Sequence, residues 1–77
     1  MAKKENAGYK IIEECRIVNT KIVLGENEET GMFVTWETNI CSKFKSYYYG
    51  HYFNDRKQAY HDYFTRIKTE VEWMLID

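Results

Sequence analysis

Tyr47-Tyr48-Tyr49-Gly50-His51-Tyr52-Phe53-Asn54-Asp55-Arg56-Lys57-Gln58-Ala59-Tyr60 is the stretch in which the hydrophobic period of this chain changes. Up to Phe53 large side chains follow the two-residue rhythm of strands, and after Asp55 they recur at helical spacing. Downstream, Tyr60, Phe64, Ile67, Val71 and Met74 step by 4, 3, 4 and 3 residues, and Ala59, Tyr63 and Leu75 widen that stripe. Asn54 or Asp55 is placed to cap the helix, because its side-chain oxygen accepts an orphan N–H of the first turn. Asp62, Arg66 and Glu70, at i,i+4 spacing, lie off the stripe, as do Lys68 and Glu72, so the spacing predicts a solvated outer face of ion pairs. With no Pro in the chain and no Gly after Gly50, the helix is expected to run to near Asp77.

Working back from the same stretch, residues 45–53 read as a strand with a ring at nearly every position. Met32-Phe33-Val34-Thr35-Trp36-Glu37-Thr38 is the clearest strand, with Met32, Val34 and Trp36 on one face and Phe33, Thr35 and Glu37 on the other. Lys21-Ile22-Val23-Leu24 is a β-branched run behind an Asn19-Thr20 turn, and residues 9–18 alternate imperfectly. Residues 26–31 and 39–43 read as loops. Residues 1–8 are polar, end in Ala7-Gly8 and read as a flexible tail. Residues 9–77 then form a single α+β domain, a four-stranded antiparallel β-meander packed against one long C-terminal α-helix in the order ββββα.

Composition limits what such a domain does. The chain has 77 residues, 44% of them hydrophobic and 17% aromatic, which is too apolar for a disordered segment. Eleven basic against twelve acidic residues leave a net charge of −1, which excludes both a polycation that coats nucleic acid and a strongly acidic mimic of it. No apolar run approaches the 18 or so residues of a membrane span, and the charged N-terminus has no apolar region behind it, so a cytoplasmic protein without a membrane role is expected. Cys15 and Cys41 are too few for a disulfide scaffold and read as reduced thiols.

Catalytic, metal and cofactor signatures are lacking in the pattern. A zinc site would require Cys15, Cys41, His51 and His61 to converge, and their spacing gives no such indication. His51 with Cys15 or Cys41 would form a nucleophile and base only by long-range convergence, and neighbours His61 and Asp62 point in different directions on a helix. There is no GxGxxG, P-loop, HExxH or calcium-loop motif. No enzyme, no metal and no cofactor is therefore expected.

What stands out is the ring content of residues 43–53. A single helix covers one side of a sheet, so one row of rings is expected on the open face, and exposed aromatic patches with polar handles mark protein interfaces. Trp36, Tyr47, Tyr49 and Tyr52 are the candidate anchors, with homodimerisation as one outcome. The alternative is a single-stranded nucleic-acid platform in which Lys43, Lys45, Arg56 and Lys57 follow phosphates and Tyr48 and its neighbours stack on bases. The charges are also segregated, with Glu26, Glu28, Glu29 and Glu37 assigned to a central hairpin and the four basic residues to the aromatic strand and helix start.

Val23-Leu24-Gly25, Phe33-Val34-Thr35-Trp36, residues 48–53, and Ala59 with Asp62, Tyr63, Phe64 and Arg66 together resemble a pattern of small proteins carried on phages and conjugative elements of gut bacteria. That pattern reads VLG…YVTW…YFWGHYF…A…DF..R, and the resemblance covers about residues 20–66. It implies a mobile-element setting, in which short accessory proteins often inhibit host defence nucleases, anti-CRISPR proteins among them. The expected function is thus a non-enzymatic interaction module that binds a host protein, itself, or both.

Overall fold

A computed structural model describes residues 4–76. The elements are β1 (Glu5–Asn6), β2 (Tyr9–Ile17), β3 (Thr20–Asn27), β4 (Met32–Asn39), a 3-10 turn (Ile40–Ser42), β5 (Tyr48–Phe53) and α1 (Arg56–Met74). The five strands form one antiparallel sheet in the order β1-β2-β3-β4-β5, a meander with the helix laid across one face. The fold is the expected α+β type with one strand more. The segment read as a tail supplies it: Glu5 pairs with Lys10 and Asn6 with Tyr9 around an Ala7-Gly8 turn, while residues 1–3 and Asp77 lie outside the described residues.

Local chemistry explains the connections. The β2–β3 loop is the pair Val18-Asn19, one residue earlier than the sequence suggests, and Val18 takes a φ of 53° to close it. Between β3 and β4, Asn27 Oδ1 accepts from the N–H groups of Glu29 and Thr30, and Gly31 completes the turn at a φ of 74°. Asn39 caps the 3-10 turn, after which Lys43 and Phe44 both take left-handed backbone conformations. The last strand begins at Tyr48, three residues later than the sequence suggests, and residues 45–47 belong to the segment that follows these two left-handed residues. Asp55 caps α1, its side chain accepting from the Lys57 N–H.

Two cores flank the sheet. On the helix side Ile22, Leu24 and Phe33 meet Ala59 and Tyr63, with Ile12, Cys15, Ile17, Phe53, Tyr60 and Ile67 around them. On the other side Val23, Val34 and Trp36 are buried beneath Tyr9, Ile11 and Tyr47. That second face was expected to stand open. It is closed because the segment after β4 folds back across it: Tyr47 lies 5.4 Å from Trp36, and Phe44 lies beneath Arg16 and Lys21 at 4.9 and 4.8 Å.

The helix also sits differently from its apolar stripe. Ala59 and Tyr63 are its buried residues, whereas Phe64, Val71, Met74 and Leu75 are exposed. Asp62, Arg66 and Glu70, expected to face water, are half-buried against the sheet, where they find polar partners. The half-buried positions of α1 stop at Glu70, so its last turn lies in solvent, as do Leu75 and Ile76 after it.

Candidate interaction cleft between α1 and β5

The geometry of this region starts from a bulge. The β4–β5 register passes from Thr35 opposite His51 to Glu37 opposite Tyr48, so Tyr49 and Gly50 together face Trp36. Tyr49 takes a φ of 55°, and its side chain is 75% exposed. Gly50 is required by contact: a Cβ there would lie 2.8 Å from Trp36 Nε1. The extra residue also turns the Tyr49 carbonyl toward α1, where it accepts a hydrogen bond from Arg66 Nη2.

Asp62 holds the site together. Its Oδ2 accepts from the Thr35 hydroxyl at 2.5 Å and lies 3.0 Å from His51 Nδ1. Arg66 Nε sits 3.3 Å from the same oxygen as an ion pair without hydrogen-bond geometry. Burial alone would raise the Asp62 pKa, but the hydrogen bonds from Thr35 and His51 and the charge of Arg66 outweigh it and hold the carboxyl below its usual range. Burial lowers the Arg66 pKa, with Asp62 and Glu37 opposing that shift, and a guanidinium stays charged.

Beyond this hub a cleft of about 460 Å³ opens between Glu37, Tyr49 and His51 on the sheet and Asp62, Arg66 and Glu70 on the helix. Burial pushes the Glu70 carboxyl up, and Glu37, which also hydrogen-bonds to it, pushes it further. The hydroxyls of Thr65 and Thr69 donate to the carbonyls of His61 and Thr65, so they serve the helix and are not poised nucleophiles. With three carboxylates against one guanidinium, the cleft attracts cations. One helical turn past Glu70 lies Trp73, 67% exposed, followed by exposed Met74, Leu75 and Ile76. Among the described residues no group of three or more His, Cys, Asp or Glu is placed to hold a metal ion.

No family model matches the chain, and neither a curated protein nor a solved structure matches it.

The expected anchors divide between two places. Trp36 is only 4% exposed and is the centre of the second core, so it is a packing residue. Tyr47 packs on it, and Tyr52 meets it edge-on at 6.4 Å while staying 55% exposed. Tyr49 alone lines the cleft. The nucleic-acid candidates are also separated: Lys43, Lys45 and Tyr48 are at one end of β5, and Arg56 and Lys57 follow its other end, on the order of 17–20 Å of strand away. Arg56 lies over Tyr60 at 5.2 Å. Glu37 does not join the acidic hairpin: it pairs in register with Ile22, well down the strand from the turn, and lines the cleft. Sequence reasoning missed the His51–Asp62 pair and Trp73. Trp73 carried a signal, since a Trp beside Glu72 near a helix end has nothing left to pack on. The His51–Asp62 contact, 11 residues apart and across a bulge, carried none.

Proposed function

We propose that the protein is a non-enzymatic interaction module that binds a protein segment of basic and apolar character along α1. The observation that carries this reading is the run Trp73, Met74, Leu75 and Ile76 standing in water directly beyond an acidic cleft. Exposed apolar side chains next to unbalanced carboxylates favour a partner with Lys or Arg beside large apolar residues. The resemblance to proteins of phages and conjugative elements supports a host partner, with defence nucleases the class such accessory proteins commonly block. A net charge of −1 favours recognition by shape and rings over mimicry of nucleic acid. Among the described residues no helix is long and apolar enough to cross a membrane.

Trp73 reports on this directly in a Trp36→Phe background. An amphipathic Lys–Leu peptide is expected to shift its emission to the blue, and a Glu–Leu peptide to leave it unchanged. Trp73→Ala with Leu75→Ala should abolish binding. Equal response to both peptides, or to neither, removes the reading. Binding of an oligothymidylate that weakens steeply with salt would move the assignment to the nucleic-acid alternative.

A further inference from the structure

We infer that two copies of this chain pair through the free edge of β2, with Cys15 on the two-fold axis. β1 covers β2 only at Tyr9 and Lys10, with one further bond from the Ile11 N–H to Lys4, so residues 12–17 have β3 on one side and, among the described residues, no strand on the other. The direction of the edge groups follows from the β2–β3 turn. A two-residue loop closes on a hydrogen-bonded pair, here Ile17 and Thr20, and bonding alternates back along the strand. Cys15 therefore points its N–H and C=O toward β3, whereas Glu14 and Arg16 point theirs outward.

That pattern is self-complementary. An antiparallel pairing with Cys15 opposite the second copy's Cys15 places Glu14 opposite Arg16 twice. Both residues have outward main-chain groups to exchange, and their side chains carry opposite charge on the same face. Lys4 and Lys21 both reach Glu14 through Oε1, at 3.1 and 2.9 Å, which leaves the second oxygen to meet the arriving arginine. The hydrogen bond from Lys21, with Lys4 beside it, outweighs burial and holds the Glu14 carboxyl below its usual range, so the carboxylate stays charged. A shift of register by two residues sets Glu14 against an uncharged or like-charged neighbour, so the charges select one alignment.

The helix flank over this edge also lacks cover. Tyr60 donates its hydroxyl to Glu13 of β2 at 2.9 Å, which fixes that side of α1 above the edge. One and three turns along are Phe64, 59% exposed, and Val71, also exposed. In the paired arrangement both copies turn Phe64 and Val71 toward the same seam, above Cys15 and Ile17. One occupant thus satisfies an unpaired strand edge and an apolar helix flank. The seam lies on the opposite flank of α1 from the acidic cleft, so it stands independently of partner binding there.

A Cys41→Ser variant tests the alignment. Opposed residues in a non-hydrogen-bonded antiparallel pair have Cα atoms roughly 4.5 Å apart, inside the range a disulfide spans. Copper phenanthroline, taking two electrons and two protons from the two thiols, should link Cys15 to Cys15 in that variant. Cys15→Ser, which keeps Cys41, should stay unlinked. Sedimentation should show a dimer for the unmodified chain, about tenfold weakened by Arg16→Glu or Glu14→Arg and restored when both are exchanged. Circular dichroism keeps failure to fold separate from failure to pair. A monomer at about 0.5 mM chain, no recovery in the double exchange, or equal linking through Cys41 overturns the inference.

Discussion

The Asp62 carboxylate lies 2.5 Å from the Thr35 hydroxyl, and this contact joins the middle of the helix to the buried centre of the sheet. Thr35 is fully buried, so its hydroxyl needs a partner, and Asp62 supplies one while also holding His51 and Arg66. The polar row of α1 thereby shares the sheet-facing side with Ala59, Tyr63 and Ile67, a position that helical amphipathicity reserves for apolar residues. Phe64 and Val71 are turned outward by the same rotation.

Asp62→Ala is expected to cost about 2–3 kcal/mol near neutral pH, because it orphans a buried hydroxyl and strips the partly buried Arg66 of its counter-ion. The pH dependence has a fixed sign. A carboxyl whose folded pKa is lowered stabilises fully above its unfolded value, near 3.9, and loses that contribution as pH falls through the folded value. Urea unfolding at pH 7 and pH 3 measures this. The gap between wild type and variant should narrow in acid, and a constant gap would mean the charge plays no part.

Gly50→Ala is expected to destabilise by about 1–3 kcal/mol through overpacking. The new methyl would meet Trp36 Nε1 at 2.8 Å and Cδ1 at 3.1 Å, and the indole is walled in by Tyr9, Tyr47 and Tyr52. The Trp36 emission in a Trp73→Phe background should change along with the stability. A neutral substitution with unaltered emission would show that the bulge relaxes without cost.

Thr38→Val is expected to be stabilising by about 1 kcal/mol. Thr38 is fully buried, and its Oγ1 has no hydrogen-bond partner. Replacing the hydroxyl by a methyl of nearly the same shape removes an unmet desolvation cost. Thermal unfolding at neutral pH decides it, and a lower Tm would reveal a partner for the hydroxyl.

The α+β architecture was legible because strands and helix differ in period over whole segments, and local patterns survive tertiary context. The alternation around Met32–Asn39 and the steps from Tyr60 onward are such patterns. The site was not legible. It depends on one inserted residue at Tyr49, which turns a carbonyl toward Arg66, and on a long-range match between Thr35 and Asp62. Hydrophobic periodicity ranks positions by apolarity alone, so it assigned Asp62 and Arg66 to water and Phe64 to the core. Ring content made Trp36 a candidate anchor, and nothing local foretold the two left-handed residues, Lys43 and Phe44, after which the chain folds back over it on the face away from the helix.

Glu70→Gln is expected to stabilise the protein at neutral pH, by a few tenths of a kcal/mol as for like-charge neighbours at a partly solvated site. Burial and the adjacent Glu37 raise the Glu70 pKa above its ordinary value of 4.5. Here the sign is opposite to that of Asp62. A raised carboxyl pKa means the folded state favours the neutral form, so a penalty develops as pH climbs through the unfolded value and is complete above the folded one. The amide keeps a hydrogen bond to Glu37 and has no charge to repel. Melting curves should therefore show a higher Tm than wild type at pH 7 and the same Tm at about pH 3.5, where Glu70 is protonated in both states. An equal shift at the two pH values would trace the gain to packing and dissolve the carboxylate pair. The same substitution removes one negative charge from the cleft, so it should weaken a Lys–Leu peptide while strengthening the fold. That divergence separates the cleft's electrostatic cost to folding from its use in binding, because a purely structural role for Glu70 would move both in one direction.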